Sequence, residues 1–253
     1  MKTQELTRYL DQYLNIKDFN DYGPNGLQIE GSSEVKKIAF SVSATKASVQ
    51  KAVDFGAHAL IVHHGLFWKF HGVRTLTGPF AARVKPLIKN EINLLGYHLP
   101  LDAHEEIGNA QAIAKRLEMV ELSPFGDHKG SPTGRKGKLS TPLKVSELKE
   151  KLEEILDHKV LLSSPNSDQV ISSLGIITGG ANGDWIHCLR SKTECYLTGE
   201  MSEHDWHEAQ EAGIHMMAGG HHATEKFGIQ ELKNHLENKF EVETLFIDSK
   251  NPA

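Results

Sequence analysis

Ala59-Leu60-Ile61-Val62-His63-His64-Gly65-Leu66-Phe67-Trp68 is the stretch on which the reading of this chain turns. A short apolar run, Ala59 to Val62, stops at two adjacent histidines and a glycine. Its length and branched side chains suit a buried strand, bounded by a turn residue. Such a strand delivers two imidazoles at its carboxyl end, where open α/β sheets gather ligands. With 15 His in 253 residues, about one His-His pair is expected by chance and two occur. The pair therefore matters only through what the rest of the chain sets beside it.

On either side, helix and strand signals alternate. Thr3 to Leu14 repeats its apolar residues with helical period, with Thr3 as a candidate cap. Asp21 to Gln28 is rich in turn residues. Lys37 to Ser43 reads as a strand, and Ala44 to Phe55 as a helix stopped by a left-handed Gly56. Arg83 to Asn90 reads as a helix that Pro86 kinks or opens. Glu91 to Tyr97 is a strand ending in His98, and Asn109 to Leu117 a further helix. This alternation predicts an α/β layered fold.

Between Ser123 and Thr141 glycine, proline and basic residues accumulate, which reads as a linker, the alternative being a long hairpin loop inside a single domain. Two lobes are therefore expected, residues 1–125 and 126–253, with the C-terminal segment able to pack back on the first. Beyond the linker the order repeats. Leu6 and Leu10 recur as Leu148 and Leu152, offset by 142; Leu60 to His64 corresponds to Tyr196 to Glu200, offset by 136. His98-x-x-x-Asp102 corresponds to His221-x-x-x-Glu225, offset by 123. Each of these last two is read as followed by Gly and an amphipathic helix, 109–117 and 228–237. The falling offsets describe one unit used twice, an internal duplication.

Composition narrows the function. The net charge is -5 and no Lys/Arg block is present, so nucleic acid is not indicated as a partner. No apolar run approaches the roughly 18–20 residues of a membrane span, and the opening residues lack a signal-peptide core. Two cysteines, Cys188 and Cys195, suggest packing rather than disulfides, and a cytoplasmic location is expected.

Three strands thus end in His63/His64, His98 and His221, with Asp102 and Glu225 one helical turn after the last two. Imidazoles and carboxylates without a thiolate are the ligand set of a two-metal site, and suit Zn, Fe, Mn, Ni or Co alike. His204-x-x-His207-Glu208 has helical ligand spacing too, but its acidic neighbours favour a solvated helix face. His71, His104, His128, His187, His215 and His235 read as isolated surface or loop residues, and His222 as a turn residue pointing elsewhere. Phe67 and Trp68 could stack on a base, core packing being their commoner use.

Asp21-Tyr22-Gly23-Pro24-Asn25-Gly26-Leu27-Gln28-Ile29-Glu30-Gly31, Val62-His63-His64-Gly65, His98-Leu99-Pro100-Leu101-Asp102 and Gly220-His221-His222-Ala223-Thr224-Glu225 together resemble the YbgI-type, Nif-three-like family, the GTP cyclohydrolase 1 type 2 homologues. The resemblance runs nearly end to end. It implies two related α/β lobes with a metal site in the cleft between them, and a toroidal homohexamer. It also implies two divalent metal ions per chain, held by His63, His64, Asp102, His221 and Glu225, with Glu225 as bridge. His98 matches a histidine beside the metals and is expected to move a proton. The function expected is metal-dependent hydrolysis of a nucleotide-like small substrate. The rival expectation is a non-catalytic metal-binding adaptor.

Overall fold

The computed structural model describes all 253 residues, and the chain is α/β with two separate sheets. In chain order the elements begin with α1 (Thr3–Tyr13), β1 (Gly26–Ile29), β2 (Lys37–Ser43), α2 (Lys46–Phe55), β3 (Ala59–His64), α3 (Gly78–Lys89) and β4 (Asn93–Gly96). Two short helices follow, α4 (Leu99–Ala103) and α5 (Asn109–Arg116), then β5 (Val120–Phe125) and β6 (Gly134–Lys144). The remainder is α6 (Val145–Leu156), β7 (Leu161–Ser163), β8 (Val170–Ile176), α7 (Ile186–Ser191), β9 (Cys195–Thr198), α8 (Glu203–Glu211), β10 (His215–Ala218), α9 (His221–Lys239) and β11 (Glu243–Phe246).

By contacts the chain divides into two compact units. One is Met1–Leu101 with Gly228–Ser249; the other is Asp102–Phe227 with Lys250–Ala253. In the first, the strand order is β1-β4-β3-β2-β11, with β2, β3, β4 and β11 parallel and β1 antiparallel to β4. In the second, the order is β5-β6-β8-β9-β10-β7, with β8, β9 and β10 parallel and β7 antiparallel to β10. The wiring α-β-β-α-β-α-β is the same in both, α1 through β4 and α6 through β10. The duplication read from falling offsets is thus visible as a repeated topology.

Local chemistry explains the elements. β2 and β3 are buried on both faces, which is why they read as near-continuous apolar runs. α2 opens on a capping box between Thr45 and Ser48 and closes on Gly56 at φ 68°, a left-handed stop that a Cβ would strain. α6 buries Val145, Leu148, Leu152 and Leu156, the three- and four-residue spacing of a one-sided helix. The first core gathers around Val49, Leu60, Val62 and Leu94, the second around Leu148, Leu152, Leu174 and Leu197.

Several expectations change. The stretch read as a linker is largely strand: β5 and β6 pair antiparallel, and β6 pairs with β8. Its glycines are needed there, since a Cβ on Gly134 would meet the carbonyl oxygen of Ile176 at 2.2 Å. His63 and His64 do not follow β3 but belong to it. Gly228 lies inside α9, whose 19 residues begin at His221. Pro86 sits within α3, which starts earlier, with a proline in its first turn. Thr3 caps nothing: its hydroxyl donates to the Ser32 carbonyl at 2.5 Å, and Lys2 holds the cap position. His215 is fully buried on β10 and hydrogen-bonded to Ser164, so it is not a surface residue, and the half-buried His235 does not stand alone but stacks on Tyr13 at 4.1 Å. His222 is buried in the first turn of α9, not on a turn.

Candidate metal centre

In the first unit, β3 runs in register with β2 and β4 and brings His63 and His64 to the same sheet end as His98, two residues past β4. One ligand atom from each of these three histidines lies within 4.8 Å of those of the other two. Each ring is oriented through Nδ1. His63 Nδ1 donates to the Tyr97 carbonyl at 3.0 Å. His64 Nδ1 is hydrogen-bonded to the Ser43 hydroxyl at 3.1 Å, and His98 Nδ1 donates to Asp21 Oδ1 at 2.7 Å. A neutral imidazole that donates from Nδ1 carries its lone pair on Nε2, the nitrogen that can then bind a metal or take a proton.

Asp21, which the sequence offers only as part of a turn-rich loop and of the family motif, orients the His98 ring. Its buried carboxylate also accepts the main-chain N–H groups of Tyr22 at 2.6 Å and Leu99 at 2.9 Å, and the Asn25 amide at 2.9 Å. Asn25 in turn accepts the His98 main-chain N–H at 2.9 Å. Burial pushes the Asp21 carboxyl up, but His98, Asn25 and the Tyr22 N–H outweigh it and hold the pKa at about 2. Only the short Asp21-x-x-x-Asn25 spacing hinted at this cradle.

In the second unit, β10 runs into Gly219-Gly220 and then α9, whose first turn carries His221 and Glu225. The i, i+4 spacing puts both on one side, with His221 Nε2 at 3.1 Å from Glu225 Oε2. His221 Nδ1 donates to Glu200, the residue standing where the first unit has its histidine pair. In the sequence Glu200 stands only as the counterpart of His64, 136 positions further on. Burial lowers the His221 pKa, but Glu225 and Glu200 overcome it and raise it to about 9. Asp102 is buried and accepts from the Asn109 amide at 2.8 Å and the Thr178 hydroxyl at 3.3 Å. Asp102 and Glu225 offer carboxylate oxygens within 4.8 Å of each other.

The chemistry of these donors fits divalent first-row ions. Every donor is an imidazole nitrogen or a carboxylate oxygen. Thiolates take no part: Cys188 and Cys195 are buried, and burial pushes the Cys188 thiol up to about 12. His204 and His207 lie exposed on α8, beside Asp205 and Glu203, and join neither group. Phe67 and Trp68 part company. Phe67 packs edge-on against Phe80 in the core, while the half-buried Trp68 meets His98 edge-on at 5.1 Å, its indole N–H donating to the Gly65 carbonyl.

Gly179 supports the second group closely. Its φ is +70°, and a Cβ there would sit 2.1 Å from Glu225 Oε1 and 3.2 Å from His221 Nε2. Gly179→Ala should therefore cost more than about 1 kcal/mol from the left-handed backbone alone, and should push Glu225 out of place. Urea denaturation and titration with Zn or Mn would show both losses; an unchanged metal affinity would contradict this placement.

Comparison with known proteins agrees over the whole length. The family model for Duf34/NIF3 (NGG1p interacting factor 3) matches residues 1–252. A Pasteurella multocida protein named GTP cyclohydrolase 1 type 2 homolog is 40% identical over 253 residues, covering 100% of both chains. Among solved structures, protein ybgI, described as of unknown function, superposes with a TM-score of 0.92 at 38% identity over 100% of both chains. A Thermus thermophilus protein gives 0.88 at 33% identity, again over 100% of both.

Proposed function

Because this chain belongs to the Duf34/NIF3 (NGG1p interacting factor 3) family, we propose that it holds two divalent metal ions and hydrolyses a nucleotide-like small substrate. The proposed ligands are His63, His64, Asp102, His221 and Glu225, with Glu225 as the bridge. The observation that carries this reading is the shared orientation of the imidazoles. His63, His64, His98 and His221 are each engaged at Nδ1 by an oxygen, so Nε2 is the nitrogen each can present. When bound, a pair of such ions activates a water near neutral pH and polarises the bond under attack. Asp21 holds His98 in the tautomer whose Nε2 can take and return a proton. Trp68, fixed by its bond to Gly65, offers an aromatic face to a planar base. The name carried by the relatives, GTP cyclohydrolase 1 type 2 homolog, supports a purine nucleotide as the first substrate to try.

Zn-, Mn- or Fe-loaded protein incubated with GTP and other nucleotides should open the purine imidazole ring, read as loss of the purine absorbance. His98→Ala should slow this by roughly a hundredfold or more, the usual worth of a positioned acid or base. A second reading, a metal-stabilised adaptor, has one observation in its favour. Phe70, Val73 and Leu76 follow β3 with 69%, 103% and 51% of their surface exposed, an apolar stretch suited to contact with another chain. The same residues would serve a homohexamer, which light scattering would detect. Loss of melting temperature on chelation, with no turnover on any nucleotide, would favour the adaptor.

A further inference from the structure

The residues of α1 divide into rows. Leu6, Leu10 and Leu14 enter the core, while the adjoining row Thr3, Thr7 and Asp11 lines a groove of about 620 Å³. Leu27, on the edge strand β1, and Ile16 supply apolar surface, and Arg8 and Lys17 stand at its rim. The volume is in the ordinary range for sites that enclose a small molecule.

One feature shows unused binding capacity. The half-buried Asp11 accepts only the Tyr97 hydroxyl, at 2.9 Å, and its carboxylate can accept more. At the rim, Arg8 and Lys17 are exposed and make no ion pair. The groove therefore has a carboxylate inside and cations outside. Asp18 and Glu30, also at the rim, disfavour a ligand that is only an anion, such as phosphate.

We propose that this groove binds a small zwitterion of the α-amino acid or dipeptide class. The ammonium group sits on Asp11, the carboxylate on Arg8 or Lys17, and an apolar side chain against Ile16 and Leu27. The site is separate from the histidine and carboxylate groups described above and does not depend on their function.

The test uses the full chain and saturation-transfer NMR with L-leucine, L-arginine and alanyl-leucine, each to about 5 mM, near the weak end of specific binding, with inorganic phosphate as the anion control. At least one zwitterion should bind, and Asp11→Asn should weaken it roughly tenfold or more, the worth of one charge-assisted hydrogen bond. Gln12→Trp, at an exposed rim position of α1, should block binding to the same extent without disturbing a buried contact. It keeps the test decisive if Asp11→Asn unfolds the chain through Tyr97. Three results would overturn the proposal: no probe binds, phosphate binds as well as the zwitterions, or binding survives Gln12→Trp. A changed oligomeric mass in Gln12→Trp would overturn it too, making the groove a face between copies.

Discussion

Glu225→Gln should reduce the metal content from two ions per chain to one or fewer and weaken the remaining binding by more than about a hundredfold. Changes to groups that only orient ligands already cost ten- to a hundredfold, and Glu225 is proposed to touch both ions. Glu225 also acts on its neighbour. It lies 3.1 Å from His221 Nε2 and, with Glu200, raises the His221 pKa to about 9 against the pull of burial. At pH 7.5 His221 is therefore protonated before metal arrives, and binding must expel that proton. Metal affinity should rise with pH up to about 9, and titration calorimetry in buffers of different ionisation enthalpy should register the proton released. In Glu225→Gln the release should shrink and the pH slope should move toward the ordinary histidine range. The sign for the metal-free fold is opposite. The raised pKa means protonated His221 adds stability below its unfolded value near 6.5, and that contribution is lost as pH climbs through about 9. Unchanged stoichiometry in Glu225→Gln, or no proton release in the unaltered protein, would defeat the ligand assignment.

The second large effect belongs to Asp21. Asp21→Ala removes the acceptor of four hydrogen bonds, from His98, Asn25 and the N–H groups of Tyr22 and Leu99. Leaving buried donors without an acceptor should cost roughly 3 kcal/mol in urea denaturation. His98 would also lose the bond that fixes its tautomer, so any turnover should fall with it. Asp21→Asn isolates the charge. The Asp21 pKa is lowered from 3.8 to about 2, so its contribution is present above the unfolded value and lost as pH falls through about 2. A shift of that size is worth on the order of 2 kcal/mol. Between pH 4 and 2 the unaltered protein should lose that stability, and Asp21→Asn should lose correspondingly less. Identical acid profiles would show that Asp21 carries no such role.

Much of the fold was legible because it depends on neighbours in sequence. β2, α2 with its Gly56 stop, and α6 with its leucine stripe each follow from period and capping within a dozen residues. The strands of the β5 and β6 hairpin were not legible, although a long hairpin loop was the alternative to a linker there. Their glycines and prolines are required by close approach to distant strands, and in sequence they look like flexible chain. The C-terminal segment was expected to be able to pack back on the first lobe, but nothing in the four residues of β11 names β2, some 200 positions away, as the strand it joins.

The site divides in the same way. Sequence alone determined the order of the repeated unit and the kinds of side chain at its strand ends, His63, His64, His98 and His221 with Asp102 and Glu225. Those depend on local patterns of apolar and polar residues, which a single chain displays. Tertiary structure decided which atom of each ring is turned outward. Tyr97 does this for His63 over 34 positions, Asp21 for His98 over 77, and Glu200 for His221 over 21. A hydrogen bond depends on distance and direction in space, and separation along the chain carries neither.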